Sequence, residues 1–231
     1  MNVQNILEAN ADLFSGDEEV VQLLVEFTGR YPQLIESVTE IVAVYRSLIT
    51  CFEQERTLYI CGNGGSFADT LHISSELMKA FKKKRPVSDE IRNLLGRQPF
   101  GDELTQALET GFRVQPLGLN MSLNTALDND LATRHMTFAQ ELFVFSRKKD
   151  LLLAISTSGN ARNVALALSV AKAKGLTTIG LTGRKGGHLA DVADLLIRVP
   201  EDETFKIQEY HLAIYHLLCS MVEAHWFDED K

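Results

Sequence analysis

The sequence predicts an α/β protein: a doubly wound, five-stranded parallel sheet flanked by helices, with a helical extension at the N-terminal end. Three observations predict it. Beyond Arg56, short apolar runs alternate with helical patterns, as in consecutive βαβ units. The runs are apolar throughout rather than alternating, as strands buried on both faces must be. A hydrophobic content of 45% over 231 residues suffices for one sizeable core.

Residues 1–55 read as helices. Pro32 opens an amphipathic pattern in which Leu34, Val38, Ile41, Tyr45, Leu48 and Phe52 recur at helical spacing. A second row, Ile35, Val42 and Ile49, widens the stripe and leaves two readings open, burial between subunits or packing within one. Strands are expected at 57–61, 117–121, 151–155, 177–181 and 195–199. Between the first two lies an insertion, 83–116, with a helical pattern at 103–109 and breakers at Pro86, Gly96, Pro99, Gly101 and Gly111. It reads as a lid or an interface element. The basic run from Lys82 to Arg85 reads as a helix end, where cations face the negative pole of the dipole.

The formal net charge of -8 argues against a nucleic-acid-binding surface, which needs clustered cations. No run approaches the roughly 20 apolar residues that span a bilayer, and the opening residues lack a leader pattern. A cytoplasmic protein with no membrane partner is expected. Cys51, Cys61 and Cys219 lie in apolar contexts without CxxC spacing, which predicts reduced, buried thiols.

In open α/β sheets ligands bind beyond the carboxyl ends of the strands. The first strand runs into Gly62-Asn63-Gly64-Gly65-Ser66 and the third into Ser156-Thr157-Ser158-Gly159-Asn160, each just before a helical pattern. Alone, either loop is an ordinary helix cap; at equivalent strand ends the two make a phosphate and hydroxyl cradle without lysine. Neither is a dinucleotide fingerprint or a Walker loop. His72 and Glu76 share one face of the helix after the first loop, with Asp69 a turn back. Gln208 and His216, on the last helix, stand about 80° apart around its axis and roughly 12 Å along it, so they flank a ligand without touching each other.

The ordered segments CGNGGSFADTLHISSEL, LDND, AISTSGN, GLTGRKGG and IQEYHLAIYH resemble those of the phosphoheptose isomerases within the sugar-isomerase (SIS) family, over roughly residues 57–223 apart from the insertion. STSGN by itself indicates only the SIS fold. Its combination with GNGGS, HISSE and QEYHLAIYH narrows the resemblance to the heptose-isomerase branch and its close non-catalytic relatives. The resemblance implies a single SIS domain over 1–231, homotetramer assembly, and conversion of sedoheptulose 7-phosphate to D-glycero-D-manno-heptose 7-phosphate. It assigns Glu76 as catalytic base and His216 as catalytic acid. Substrate contacts follow at Asn63, Gly64, Ser66, Asp130, Ser156, Thr157, Ser158 and Gln208, and His72, Glu76, Gln208 and His216 match a zinc-binding set of some members.

Aldose–ketose interconversion needs a base to move a proton between C1 and C2 and an acid or a metal at the enediolate oxygens, so a carboxylate and an imidazole suffice. The N/O donors of the four-residue set are acceptable to zinc without selecting it. Asp130 reads either as a helix cap or as a hydroxyl contact, and His211, His225, Asp194 and Arg198 as structural. Ala161 stands where the family often has serine, and Phe205 where it is often polar. These departures and the insertion put the substrate's identity, rather than the fold, in question. The alternatives are a non-catalytic relative that binds a partner such as a replication initiator, a sugar-phosphate sensor, or an isomerase of another ketose phosphate, with Phe205 and Ala161 altering chain-length selection. The presence of both Glu76 and His216 argues against the first, and the lack of a DNA-reading segment against the second.

Overall fold

The computed structural model describes residues 3–227. Helices α1 (Val3–Ala9) and α2 (Glu18–Arg30), a 3-10 segment (Pro32–Ser37) and α3 (Val38–Glu53) precede β1 (Leu58–Gly62) and α4 (Gly65–Met78). Two short helices, α5 (Asp89–Leu95) and α6 (Gly101–Ala107), lead to β2 (Val114–Pro116), α7 (Met121–Asp130) and α8 (Thr137–Phe145). The chain then runs through β3 (Leu151–Ile155), α9 (Arg162–Lys174), β4 (Thr177–Thr182), α10 (Leu189–Val192), β5 (Leu195–Arg198) and α11 (Thr204–Trp226).

The five strands pair in parallel in the order β2-β1-β3-β4-β5. The chain leaves β1 toward β2 and returns to the other side of β1 for β3, so the topological switch point lies between β1 and β3. Every residue of β1 and β3 is buried. Their side chains serve two cores, as the two-residue strand period requires. Leu58, Ile60, Leu153 and Ile155 face α3 and α11 in one core, and Tyr59, Cys61, Leu152 and Ala154 face α8 and α9 in the other. That is why these strands read as unbroken apolar runs.

The wide stripe from Leu34 to Phe52 is buried inside one subunit. Leu34, Val38, Ile41 and Tyr45 are fully enclosed in the first core, together with residues of α1, α2 and α11. The helix needs two apolar faces because it lies between the sheet on one side and the N-terminal helices on the other. Its first turns are 3-10 rather than α, with Pro32 at the entry.

Two expectations are corrected. The second strand occupies Val114–Pro116 rather than 117–121. Leu117 N–H still donates to Ile60 O at 2.9 Å, but Gly118 turns away at φ 96° and Asn120 caps a helix that starts at Met121, accepting from Leu123 N–H at 3.0 Å. The apolar run therefore straddled a strand end and a helix start. The basic run does not end a helix: α4 stops at Met78, where Lys79 is extended, and Lys82 to Arg85 lie beyond it. Arg85 is fully buried against Glu223.

The three cysteines are free and buried, and burial pushes the Cys51 and Cys61 thiols up to about 12.

Candidate active site

The loops after β1 and β3 flank the switch point and carry the predicted cradle. They are tied directly together: Asn63 and Asn163 exchange side-chain hydrogen bonds of 2.9 and 2.7 Å. Asn163, in the first turn of α9, was not singled out in the sequence, since no local pattern marks a residue whose partner is a hundred positions away. The β3 loop is shaped by close backbone approach. Gly159 has φ 69°, and a Cβ there would lie 1.8 Å from Gly186 O, so only glycine fits. Leu189 N–H donates to Gly159 O, and His188 N–H to Asn160 Oδ1, at 3.1 and 3.0 Å, which seats the GLTGRKGG segment against this loop.

Exposure divides the predicted substrate contacts. Asn63, Gly64 and Ser158 are exposed and Thr157 half-buried, whereas the Ser66 and Ser156 side chains are buried at the base of the loops. Ala161 occupies the N-cap of α9 without supplying a side-chain cap. Gln208 projects from α11 onto the first loop: a Cβ on Gly65 would lie 2.5 Å from its Nε2, so glycine makes room for the amide. Asp130 is not brought to the loops. It is the exposed last residue of α7, six residues before the N-cap of α8, and its carboxylate accepts from Asn129 Nδ2, so it is neither the expected helix cap nor in contact with the cradle.

The acid–base residues do converge. His72 Nε2 lies 3.1 Å from Glu76 Oε1 on α4 and 3.5 Å from His216 Nε2 on α11. The imidazoles of His72 and His216 meet edge to face, with centroids 4.9 Å apart. Burial, with His72 beside it, holds His216 below the ordinary imidazole value against the opposing pull of Glu76. Behind them, Tyr215 Oη lies 3.0 Å from His72 Nδ1 and donates to Asp69 Oδ1 at 3.3 Å, fixing the ring from its far side. Burial raises the Asp69 carboxyl, which Tyr215 and His72 counteract. Tyr215 was not selected from the sequence because it looks like one more apolar-face residue of α11.

Glu76 is anchored through its backbone as well. The Arg85 guanidinium donates to Glu76 O at 3.0 Å, to Leu77 O at 2.9 Å and to Glu223 Oε1 at 2.9 Å. The last carbonyls of α4, which no following turn satisfies, are thereby paired and linked to α11. His211 and His225 are structural: the first is fully buried and the second pairs with Asp17.

The donors of His72, Glu76, Gln208 and His216 are chemically acceptable to zinc. Among the described residues, however, no group of three His, Cys, Asp or Glu side chains is arranged to hold a metal ion, and His72 Nε2 is already engaged by Glu76.

The SIS domain family matches residues 137–224. The phosphoheptose isomerase of Akkermansia muciniphila is 32% identical over 206 residues, covering 89% of this chain and 96% of the relative. That of Rhodospirillum rubrum is 42% identical over 163 residues, covering 71% and 73%. This chain belongs to the phosphoheptose isomerase family. The solved phosphoheptose isomerase of Neisseria gonorrhoeae superposes on it with a TM-score of 0.64 at 25% identity, covering 94% of this chain and 98% of that one. The phosphoheptose isomerase from Francisella tularensis gives 0.63 over 92% and 97%, also at 25% identity. Membership of the phosphoheptose isomerase family makes the chain a phosphosugar isomerase, and the superpositions show that it shares its fold with both solved relatives.

Proposed function

We propose that the chain interconverts sedoheptulose 7-phosphate and D-glycero-D-manno-heptose 7-phosphate by proton transfer through an enediol. The observation that carries this reading is the meeting of His72, Glu76 and His216 from two helices beside a pair of linked phosphate-type loops. The partner-binding alternative is not favoured, because the relatives are phosphoheptose isomerases.

The phosphate sits against the exposed β3 loop at Thr157 and Ser158, near the positive end of α9. Glu76 carboxylate takes the C1 proton of the ketose while His216 donates its ring N–H proton to O2. The resulting enediol collapses when protonated Glu76 delivers its proton to C2 and O1 returns one to His216, leaving the C1 aldehyde and both residues in their starting forms. His72, fixed by Tyr215, holds the Glu76 oxygen in place.

Replacing Glu76 with Gln tests the assignment: turnover of sedoheptulose 7-phosphate falls by about 10²-fold or more, with the fold and phosphate binding retained. Near-wild-type turnover removes Glu76 from the mechanism. Zinc on His72, Glu76, Gln208 and His216 is a separate element of the proposal, supported by donor type alone. Loss of turnover on chelation, restored by zinc, supports it; indifference to chelator discards it.

A homotetramer in the cytoplasm completes the proposal. The exposed Phe143 and Val144 near the end of α8 form an apolar patch of the kind that subunit contacts cover. No helix among the described residues is long and apolar enough to cross a membrane.

A further inference from the structure

At the end of the sheet opposite the sugar loops, a cavity of about 650 Å³ is lined by Arg56, Arg113 and Arg147 together with Tyr59. These arginines precede β1, β2 and β3, whereas the sugar loops follow β1 and β3. The five residues of β1 put the two places about 16 Å apart at ~3.3 Å per residue. In a chain with 31 acidic against 23 basic residues, none of the three guanidiniums forms an ion pair among the described residues. Arg56 Nε is buried with no hydrogen-bond partner among the described residues, and Arg113 spends one N–H on Thr57 Oγ1 at 3.3 Å.

Two carboxylates also line the cavity. Asp150 is committed to backbone, accepting from Thr57 N–H at 3.1 Å and Arg147 N–H at 2.7 Å, and Glu55 is exposed and pairs with none of the arginines. Glu55 and Lys149 hold left-handed backbone, φ 54° and 74°, which residues with side chains adopt only where the surroundings impose it. Glu55 lines the cavity just beyond the end of α3, and Lys149 stands next to the lining Asp150, just before β3. A buried donor without an acceptor is costly, and planar guanidiniums pair bidentately with phosphate oxygens.

We propose that this cavity binds a small diphosphate-bearing anion, at a site separate from the sugar-phosphate loops. The lining carries three guanidiniums against two carboxylates, and a diphosphate, with oxygens on two phosphorus atoms, can pair bidentately with more than one guanidinium at once, where a single phosphate has fewer oxygens to share. The volume lies within the roughly 300–1,000 Å³ of small-molecule sites and leaves room for the group that carries the diphosphate.

Calorimetric titration with inorganic pyrophosphate and with inorganic phosphate tests it, using wild type and the double variant Arg113→Gln/Arg147→Gln. Both positions are exposed, and neither belongs to the catalytic machinery. Wild type binds pyrophosphate more tightly than phosphate, and the double variant weakens pyrophosphate binding by at least about tenfold while keeping its turnover in the absence of pyrophosphate. A charge-matched control, Arg92→Gln/Arg97→Gln on the insertion, retains wild-type binding. Equal isotherms for wild type and the cavity variant, or equal weakening in the control, overturn the proposal, because binding then comes from the sugar loops or from net charge.

Discussion

Replacing Arg85 with Met leaves Glu223 buried without its counter-ion. The side chains of the pair are 0% and 1% exposed, with Arg85 Nη2 2.8 Å from Glu223 Oε1. The carboxylate also accepts from Phe81 and Lys82 N–H, each at 2.8 Å, and the guanidinium lies over the rings of Phe112 and Phe227. Removing one partner of such a pair costs about 3–5 kcal/mol, against a total stability of about 5–15 kcal/mol. For a chain of this size each kcal/mol moves the midpoint by about 2–4 °C, so the variant melts about 6–20 °C lower. Thermal and urea unfolding at one fixed protein concentration measure this. Turnover well below each midpoint adds a second reading, because Arg85 also holds Glu76 O, and it falls further than residual fold content explains. A stability loss under about 1 kcal/mol with unchanged turnover would refute the reasoning, since the ion pair would then be neither structural nor positioning.

Two further perturbations probe the site and the core. Asn163→Ala removes both bonds that join the loops, each worth about 0.5–1.5 kcal/mol, so KM for the sugar phosphate rises about tenfold in steady-state assays; an unchanged KM shows that the loops hold their places without the pair. His211 bears on acid stability. Burial lowers its imidazole from 6.5 to about 4, so the folded state keeps it neutral while the unfolded chain takes up a proton as pH falls below 6.5. The resulting stability is fully present above 6.5 and is lost progressively toward pH 4, amounting to about 3 kcal/mol. Urea unfolding across that range should show a slope that His211→Leu lacks, and parallel slopes would place the acid sensitivity elsewhere.

The sequence by itself determined the parallel sheet, because strands buried on both faces must be continuously apolar, and β1, β3, β4 and β5 stand where those runs lie. It also determined the two ligand loops, since glycine, serine and asparagine between a strand and a helix leave a local chemical signature, and it placed His72 and Glu76 on one helical face by spacing alone. Tertiary structure alone decided the rest. The β2 run was misplaced because an apolar stretch does not say where pairing stops and a helix begins, a boundary set by Gly118 and the Asn120 cap. The α3 stripe was ambiguous because a wide apolar face is the same whether a subunit or the chain's own helices cover it. Asn63 with Asn163, Tyr215 with His72, and Arg85 with Glu223 join residues 100, 143 and 138 positions apart. Nothing local encodes such pairs, because each side chain is ordinary in its own segment and acquires its role only when the folded sheet brings its partner within hydrogen-bonding distance.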